Sequence, residues 1–485
     1  MAFIRSVKTA SGATAVQIIH KFHGHIERME HIGSAHNAAD LSVLLSLAKE
    51  RLVGSQLSLF VDTQELPASR LKVGIRKSFS GLLLQTLQEQ YEALGLNALA
   101  DDDFSLLCIA RIVEPTSKLD SLRVLADLGV DELDKNRLYR CLARVVANDY
   151  RSCLSKICVN KAVKQGMTLV LYDVTTLYFE VQEADEYRKP GMSKQRRLEP
   201  QIIVGLLVDQ SGFPLGVQSF EGNKAETATI LPVIEEFRNQ HKIKDITVVA
   251  DAAMLSAKNL QTLSEAGYHY IVGSRLYKIP YDIAEYQKGS ALVDNQIITE
   301  QREGFRIVYQ YRQKRASLDL RNIEKQIEKA QKIISGQTAA KRAKFLTVKT
   351  KEKILNQAMV DKAQALAGIK GYVTNLDVPD EQIISYYHQL FNVEASFRMA
   401  KSDLKARPIF HRKRDAIEAH LTVIFVAMAL ARTIEKRIGI SIKHFVNTLR
   451  PIRSGIVTIN GTEHIAEPEI PINVQTMLQR LRTGH

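Results

Sequence analysis

Residues 166–180 read GMTLVLYDVTTLYFE, and they predict a strand inside a sheet. Met167 to Tyr172 is an apolar run rich in β-branched residues, which is typical of a buried strand. Asp173 follows directly, and a carboxylate in a buried strand costs several kcal/mol unless another group compensates its charge. We therefore expect the rest of the chain to supply a partner for Asp173.

The segments that follow predict a mixed α/β sheet. Two further strand patterns, QIIVGLLVD and PLGVQSF, are joined by QSGFP, whose glycine and proline are typical of a turn. A helix pattern at 225–240, the strand pattern DITVVAD at 245–251, a helix pattern at 256–265 and the strand pattern YHYIVGS come next. Three meandering strands followed by alternating helix and strand are the order of an RNase H-like fold, so we expect such a core flanked by helices.

Asp251 shares the peculiar position of Asp173. It ends the apolar run ITVVAD, and small residues follow it. If the two strands pair, their carboxylates lie side by side, where like charges repel each other unless a cation lies between them. Mg²⁺ and Mn²⁺ prefer such oxygen ligands, and two ions held in this way can activate an attacking oxygen and stabilise a leaving oxygen at a phosphodiester. The pair therefore suggests a metal site for phosphoryl chemistry.

Composition indicates an intracellular globular protein with an anionic partner. The chain has 485 residues, too many for one hydrophobic core, and 45% of them are hydrophobic. It contains no uninterrupted run of 18 apolar residues and no secretory signal at its start, so we expect neither a membrane span nor export. The net charge of +13 favours nucleic acid as the partner. The cysteines form no CxxC pair, and we interpret them as buried thiols; they are Cys108, Cys141, Cys153 and Cys158.

Two regions carry much of the basic charge. The helical pattern at 76–165 ends in a helix with Arg137 and Arg140, which would suit a helix-turn-helix reader of the major groove or an ordinary bundle with solvated arginines. Between Arg312 and Lys353 there are 13 lysines and arginines against four acids. That excess is consistent with contacts to a phosphate backbone, although Glu–Lys pairs on a solvated helix explain part of it.

A helix predicted at 381–404 carries a polar stripe. At 100° per residue, Tyr387, Arg398 and Lys401 all fall within about 40° of Glu394. Such a stripe could be a surface ladder of ion pairs. It could also place an acid at the metal site and cations on DNA phosphates.

Ordered motifs over some 400 residues resemble the DDE transposases of bacterial insertion sequences, in the IS-four superfamily. The strongest are YDVTTLYFE, GFPLGVQSFEGN, VVADAAMLSAKNL and YHQLFNVEASFRMAKSDLKARPIFH, with EPTSKL and HLTVIFVAMALAR in support. The superfamily signature is Tyr, two residues, Arg, three residues, Glu, six residues, Lys. Tyr387, Glu394 and Lys401 fit this spacing, whereas Leu390 occupies the position of the arginine, for which His388 or Arg398 could substitute.

This resemblance implies a catalytic and metal-binding triad of Asp173, Asp251 and Glu394, with two Mg²⁺ ions that Mn²⁺ can replace. It implies binding of double-stranded DNA at terminal inverted repeats and at a target, and cleavage and strand transfer by a homodimer in a synaptic complex. Such a protein would act in the bacterial cytoplasm at the nucleoid. The residues predicted to contact DNA are Tyr387, Arg398, Lys401, Arg407, Arg412, Lys413, Arg414, Arg137 and Arg140, and a solvated linker is the alternative reading of RPIFHRKR at 407–414.

The sequence leaves two other functions open, namely a nuclease of RNase H-like fold that never joins ends and a DNA-binding protein that has lost its chemistry. All three acids are present, which argues against the second of these. The predicted division of the chain is a β-rich N-terminal region with one helix (1–75), a helical candidate DNA-binding region (76–165), the first part of the core (166–275), a basic insertion domain (276–369), the second part of the core with the glutamate helix (370–435) and a C-terminal extension (436–485).

Overall fold

The computed structural model describes most of the chain. The described residues are 2–9, 12–22, 25–53, 73–180, 183–191, 199–243, 246–252, 256–274, 283–284, 291–339, 343–349 and 352–483. The chain divides into two compact units, Met1–Lys72 and Val73–His485.

Strands and helices are labelled here in chain order. The strands are β1 Ala2–Lys8, β2 Thr14–Phe22, β3 His25–Ala35, β4 Val73–Phe79, β5 Leu169–Tyr178, β6 Gln201–Asp209, β7 Pro214–Glu221, β8 Thr247–Ala250, β9 His269–Ser274, β10 Ile297–Arg302, β11 Phe305–Tyr311, β12 Leu346–Lys349, β13 Glu352–Leu355, β14 Ile369–Thr374, β15 Ser454–Ile459 and β16 Thr462–Ala466. The helices are α1 Ala38–Val53, α2 Gly81–Ala93, α3 Asp102–Val113, α4 Ser121–Asp127, α5 Lys135–Ala147, α6 Tyr150–Lys164, α7 Ile230–His241, α8 Ala257–Glu265, α9 Gln313–Ile334, α10 Gln357–Ala365, α11 Asp380–His388, α12 Phe391–Ser402, α13 Arg414–Ile438, α14 Ile442–Leu449 and α15 Ile472–Thr483.

The first unit is a small antiparallel sheet in the order β1-β2-β3, with α1 packed against it. Val16 and Ile18 of β2 meet Ala48 of α1 in its core. The sequence predicted a β-rich region with one helix here, but it gave no indication of β3. Most side chains of β3 are exposed, and so the strand lacks the apolar alternation by which a half-buried strand is recognised.

The second unit is built on an eight-stranded sheet in the order β10-β11-β14-β9-β8-β5-β6-β7. Strands β5, β6 and β7 form an antiparallel meander, and β8 and β9 continue the sheet parallel to β5. This order confirms the mixed α/β, RNase H-like sheet that the sequence predicted. It places β5, the strand that carries Asp173, inside the sheet and beside β8, the strand that leads to Asp251.

Side chains pack closely on one face of β5. The Tyr172 ring extends from that face, and its hydroxyl donates a hydrogen bond to Oγ1 of Thr229 at 2.9 Å. On the neighbouring strand, a β-carbon at Gly205 would lie 2.5 Å from the Tyr172 hydroxyl oxygen. Glycine at 205 therefore leaves room for the ring, which is a common reason for glycine inside a strand.

Part of the region predicted as an insertion belongs to the same sheet. Strands β10 and β11 extend it through an antiparallel pairing of β11 with β14. Beyond them, α9, α10 and the β12–β13 hairpin share a small separate core around the buried ring of Phe345. Residues 276–282, 285–290, 340–342 and 350–351 of that region lie outside the described residues.

Helix α13 runs through the core of the second unit, and α3 and α5 pack against it. In the described parts of the chain it is the one helix long and apolar enough to cross a membrane, and 89% of its apolar window is buried inside the fold. The prediction of buried thiols is wrong at one position, because Cys153 is exposed while the other three cysteines are buried.

Candidate active site

Asp173 and Asp251 occupy equivalent positions on neighbouring parallel strands. The last paired residues of β5 and β8 are Leu171 and Val249, and each aspartate lies two residues further along its own chain. Neighbouring strands lie about 4.8 Å apart, and residues two apart in a strand point to the same face. The continued register therefore brings the two acids side by side at one edge of the β5–β8 pair.

Both carboxylates are held by the next backbone amide. Oδ1 of Asp173 accepts a hydrogen bond from the Val174 amide at 2.8 Å. Oδ1 of Asp251 accepts one from the Ala252 amide at 2.7 Å. The same local geometry thus fixes one oxygen of each acid.

The helix predicted at 381–404 is not continuous, and this part of the prediction is wrong. It is divided into α11 and α12. At the junction, the amides of Leu390 and Val393 donate to the carbonyls three residues earlier, which are those of Tyr387 at 3.0 Å and Leu390 at 3.2 Å. Such 3₁₀-type bonds give 3.0 residues per turn instead of 3.6. The angle between Tyr387 and Glu394 therefore differs from the one calculated for a single α-helix.

Tyr387 lies against Asp251 instead of facing solvent. Its side chain is 5% exposed, and its hydroxyl donates a hydrogen bond to Oδ1 of Asp251 at 3.2 Å. Burial, followed by the charge of Asp251, raises the pKa of this hydroxyl, so it remains a donor. On β9, a β-carbon at Gly273 would lie 2.7 Å from the hydroxyl oxygen, so glycine is needed there for the contact.

Lys370, at the start of β14, is a residue that sequence reasoning missed. Its Nζ lies 4.2 Å from the centroid of the Tyr387 ring, a cation–π contact. Burial and then Arg315 lower the pKa of Lys370, and the charges of Asp251 and Glu394 oppose this shift. Lys370 is thus the cation that lies within electrostatic reach of two of the three acids.

Leu390 is buried, at the junction between α11 and α12, and it packs in the core. Of the two substitutes considered for the missing arginine, His388 has its pKa lowered by burial and then by Lys370 and Arg312, which keeps it neutral near pH 7. Arg398 is exposed and stacks over Phe391, with 5.8 Å between its guanidinium carbon and the ring centroid.

Helix α12 brings Lys401 to the face of the sheet that carries Asp173. Nζ of Lys401 contacts Oγ1 of Thr175, which lies on the same face of β5 as Asp173. Glu394 precedes Lys401 by seven residues, two turns along the same helix face, and it is exposed. Glu394 also acts electrostatically on Lys370, as Asp251 does.

The chemistry of these donors fits a hard divalent cation, because all three acids offer carboxylate oxygens. The shared backbone anchor of Asp173 and Asp251 leaves both in the same orientation. The described residues contain no group of three or more His, Cys, Asp or Glu side chains placed closely enough to hold a metal ion.

A cleft of about 740 Å³ opens beside Asp251 and Tyr387. Its far wall comes from α9 and α10 and from the turn before β12. This wall supplies cations from the region that the sequence identified as rich in lysine and arginine. The cationic lining residues are Arg315, Lys344, Lys362 and Lys370.

The segment 407–414 follows α12 and returns to the end of β5. The amide of Ile409 donates to the carbonyl of Tyr178 at 3.1 Å, and the guanidinium of Arg407 lies 5.4 Å from the Tyr178 ring centroid. The exposed cations of this segment are Arg412, Lys413 and Arg414.

The arginines of α5 are divided between ion pairs and solvent. Arg137 pairs with Asp103 at 2.7 Å, and Arg144 pairs with Asp101 at 2.8 Å, whereas Arg140 is exposed. Asp101 also caps the N-terminus of α3 by accepting from the Phe104 amide. In this arrangement the aspartates stabilise the helical region and neutralise part of its basic charge.

Comparison with known proteins points to one family. A family model described as the transposase DDE domain matches residues 164–430. No curated protein matches the chain. Among solved structures, the piggyBac transposase in a synaptic complex with hairpin DNA is similar over 72% of this chain and 70% of its own, with 11% identity and a TM-score of 0.42. The Mos1 transposase in a paired-end complex with the left transposon end is similar over 47% of this chain and 66% of its own, with 12% identity and a TM-score of 0.16.

Proposed function

Because this chain belongs to the transposase DDE domain family, we propose that it binds the terminal inverted repeats of a bacterial insertion sequence, cuts the DNA there and joins the released ends to a target. Membership of the family makes it an enzyme of DNA cleavage and transfer. The finer assignments concern which residues act, which ion they hold and which DNA they bind.

Asp173, Asp251 and Glu394 form the proposed catalytic triad. The observation that carries this assignment is the matched placement of Asp173 and Asp251. Each lies two residues beyond the last paired residue of its strand, and each accepts a hydrogen bond from the next backbone amide. Glu394 is proposed as the third member because it acts on the same lysine as Asp251 and lies on the helix face that meets β5.

Divalent metal ions are the general cofactor of this family, and we propose Mg²⁺, with Mn²⁺ as a substitute. A bound ion would polarise the phosphodiester and the attacking oxygen there. Neighbouring side chains would orient the carboxylates that bind the ion. Tyr387 fixes Oδ1 of Asp251, and Lys370 limits the repulsion between Asp251 and Glu394.

We propose that Lys370 also supplies the cation that the signature places at Leu390. It lies on the Tyr387 ring, beside the acids, and it lines the cleft. Tyr387, which the signature assigns to DNA, is assigned here to Asp251, because its buried hydroxyl already donates to that carboxylate.

DNA is proposed to enter the cleft between the sheet and the basic region 276–369. The cations of the cleft would contact its phosphates on one side, and on the other would lie Arg398, Lys401 and the segment 407–414. Of the arginines on α5, Arg140 is the better candidate for a DNA contact, because Arg137 is engaged by Asp103. Pairing of two ends requires two active sites, so we propose a homodimer in the synaptic complex, acting at the nucleoid in the bacterial cytoplasm.

The second candidate is a nuclease with the same acids that does not join ends. A supercoiled target plasmid and a duplex already cut at the end of the element distinguish the two functions. We expect joined products in Mg²⁺, and none with the Glu394→Gln protein. Cleavage of an uncut end without any joined product from the precut duplex would refute the transposase proposal and favour the nuclease.

A further inference from the structure

A second cavity, of about 590 Å³, lies between the connection from α3 to α4 and the segment 405–411. We name it the cationic pocket. It lies beyond the end of β5, where Arg407 stacks over Tyr178. Its basic lining residues are Arg111, Lys118, Lys405, Arg407, His411 and His420.

The inner part of the cationic pocket is buried and ordered by hydrogen bonds. Arg111 and Lys118 are each 6% exposed and His420 is 4% exposed. Nζ of Lys118 lies 3.0 Å from Nδ1 of His420, and Nε2 of His420 lies 3.2 Å from the carbonyl oxygen of Ala406. Because a carbonyl can only accept, Nε2 carries the proton and Nδ1 accepts from Lys118, so His420 is neutral.

These cations have no carboxylate partner among the described residues. The lining contains no acid, and no carboxylate acts on the pKa of Arg111 or of Lys118. Burial is the main cause that lowers both pKa values, and Arg111 adds to the effect on Lys118. An uncompensated buried cation is costly, and an anion entering the pocket would remove that cost.

The mouth of the cationic pocket is apolar and aromatic. Leu119, Tyr139 and Phe410 line it and are 46%, 50% and 67% exposed. Exposed aromatic rings beside buried cations match the two parts of a nucleotide, because bases stack on rings and phosphates bind cations. A free inorganic anion would make no use of the rings.

We propose that the cationic pocket binds a phosphate group of the DNA substrate, with the adjoining nucleotide against Tyr139 and Phe410. This inference rests on the proposed function. Tyr178 follows Asp173 by five residues of an extended strand, about 17 Å at 3.3 Å per residue. Along one strand of a duplex that length corresponds to about five nucleotides. The pocket would therefore hold the DNA at a fixed distance from the bond that is cut.

Inorganic phosphate tests the pocket without DNA. At constant ionic strength, 20 mM phosphate should raise the Tm of the wild-type protein by about 2 °C relative to chloride. The Lys118→Met protein should lose that shift, and its Tm in chloride should equal or exceed that of the wild type because a costly buried charge is gone. The matched control is Lys161→Met, since Lys161 is also partly buried with its pKa lowered to about 8 but does not line this pocket.

A second variant covers the case in which Lys118→Met does not fold. Arg407→Gln changes a half-buried residue at the pocket wall and should also reduce the phosphate shift. The proposal is overturned if phosphate does not stabilise the wild-type protein, or if both variants keep the full shift.

Modified DNA identifies which phosphate is bound. Two pairs of duplexes with the sequence of the element's end are compared. In the first pair the cut end carries either a 5′-phosphate or a 5′-hydroxyl. In the second pair the phosphate about five nucleotides from the cut is either unmodified or replaced by a neutral methylphosphonate. The modification that removes the bound phosphate should weaken wild-type binding about tenfold and leave Lys118→Met binding unchanged. Equal losses for both proteins at every position would overturn the proposal. A protein that cuts DNA but shows no phosphate shift refutes the pocket alone, and one that shows the shift but never cuts refutes the proposed function alone.

Discussion

The cations of the catalytic cleft lie beside acids, whereas those of the cationic pocket do not. Lys370 is within electrostatic reach of Asp251 and Glu394, while no carboxylate among the described residues pairs with Lys118. The difference indicates two ways of binding a phosphate backbone. A site with balanced charges can hold a cation and orient reacting groups. In a site of uncompensated cations, the positive charges are neutralised only when an anion enters.

Loss of an acid should have the largest effect, because it removes one side of the charge balance in the cleft. Asp173→Asn, Asp251→Asn and Glu394→Gln should each reduce Mg²⁺-dependent DNA cleavage by at least about 10³-fold while sparing DNA binding. Gel assays of cleavage and binding check this, with Glu381→Gln, at an exposed position of α11, as the control. A Glu394→Gln protein that cuts at the normal rate would show that the triad is wrongly assigned.

Loss of Lys370 should have the next largest effect, since it leaves Asp251 and Glu394 without their shared cation. Lys370→Met should reduce cleavage about 100-fold, the typical cost of removing one charge-stabilising donor. Because the pKa of Lys370 is lowered, this lysine should lose its proton at a lower alkaline pH than an ordinary lysine, and the cleavage rate should fall there. Lys370→Arg should abolish that fall. Lys443→Met, at an exposed position of α14 outside the cleft, should change the rate by less than about threefold. An equal loss in both variants would mean that the effect is not specific to Lys370.

The contact between Tyr387 and Asp251 should matter less, because it orients a ligand without replacing it. Tyr387→Phe should weaken Mn²⁺ binding and cleavage about tenfold, as is typical for a group that fixes a metal ligand. Tyr386→Phe is the matched control on the same helix, since the Tyr386 hydroxyl bonds to Gln382 instead. Identical metal affinity in the two variants would remove Tyr387 from the site.

The smallest effect is the pH dependence of stability that the cationic pocket causes. Burial, followed by Lys118 and Arg111, lowers the pKa of His411 from 6.5 to about 4, and the pKa of His420 also lies well below its usual value. A histidine whose pKa is lowered by folding stabilises the protein above pH 6.5, and that contribution is lost as the pH falls toward 4. Tm should therefore decrease between pH 7 and pH 5.

Lys118→Met removes the cation nearest to His420 and should make that decrease smaller. His411 faces His420, Lys118 and Arg111, with Lys405 and Arg407 on the same pocket wall, so no acid reverses the sign. His241, with its pKa lowered to about 4 mainly by burial, contributes in the same direction and is unaffected by the substitution. A Tm that does not change between pH 7 and pH 5, or that changes equally in both proteins, would contradict the proposed pocket.

Local patterns were sufficient to predict the sheet and the positions of two acids. The β5–β7 meander and the strand before Asp251 each show their apolar runs within a few residues, and the mixed sheet follows from their order. The division between α11 and α12 could not be predicted in this way. Gln389 and Leu390 keep helical dihedral angles, and only their hydrogen-bond partners change.

Contacts between distant segments account for what sequence reasoning missed. Lys370 begins a strand and belongs to no recognised motif, so only the fold places it on Tyr387. The cationic pocket depends on a contact between Lys118 and His420, which are 302 residues apart. EPTSKL was recognised as a motif, but its lysine contacts His420 only in the folded chain, where the α3–α4 connection meets α13.

Mn²⁺ binding, followed by electron paramagnetic resonance on the complex with a DNA end, tests the shared metal site most directly. If Asp173, Asp251 and Glu394 hold the ion together, the wild-type complex should bind Mn²⁺ and each single amide substitution should weaken that binding by at least about tenfold. Unchanged Mn²⁺ affinity in the Glu394→Gln complex, with binding lost only for the aspartates, would contradict a site made by all three acids.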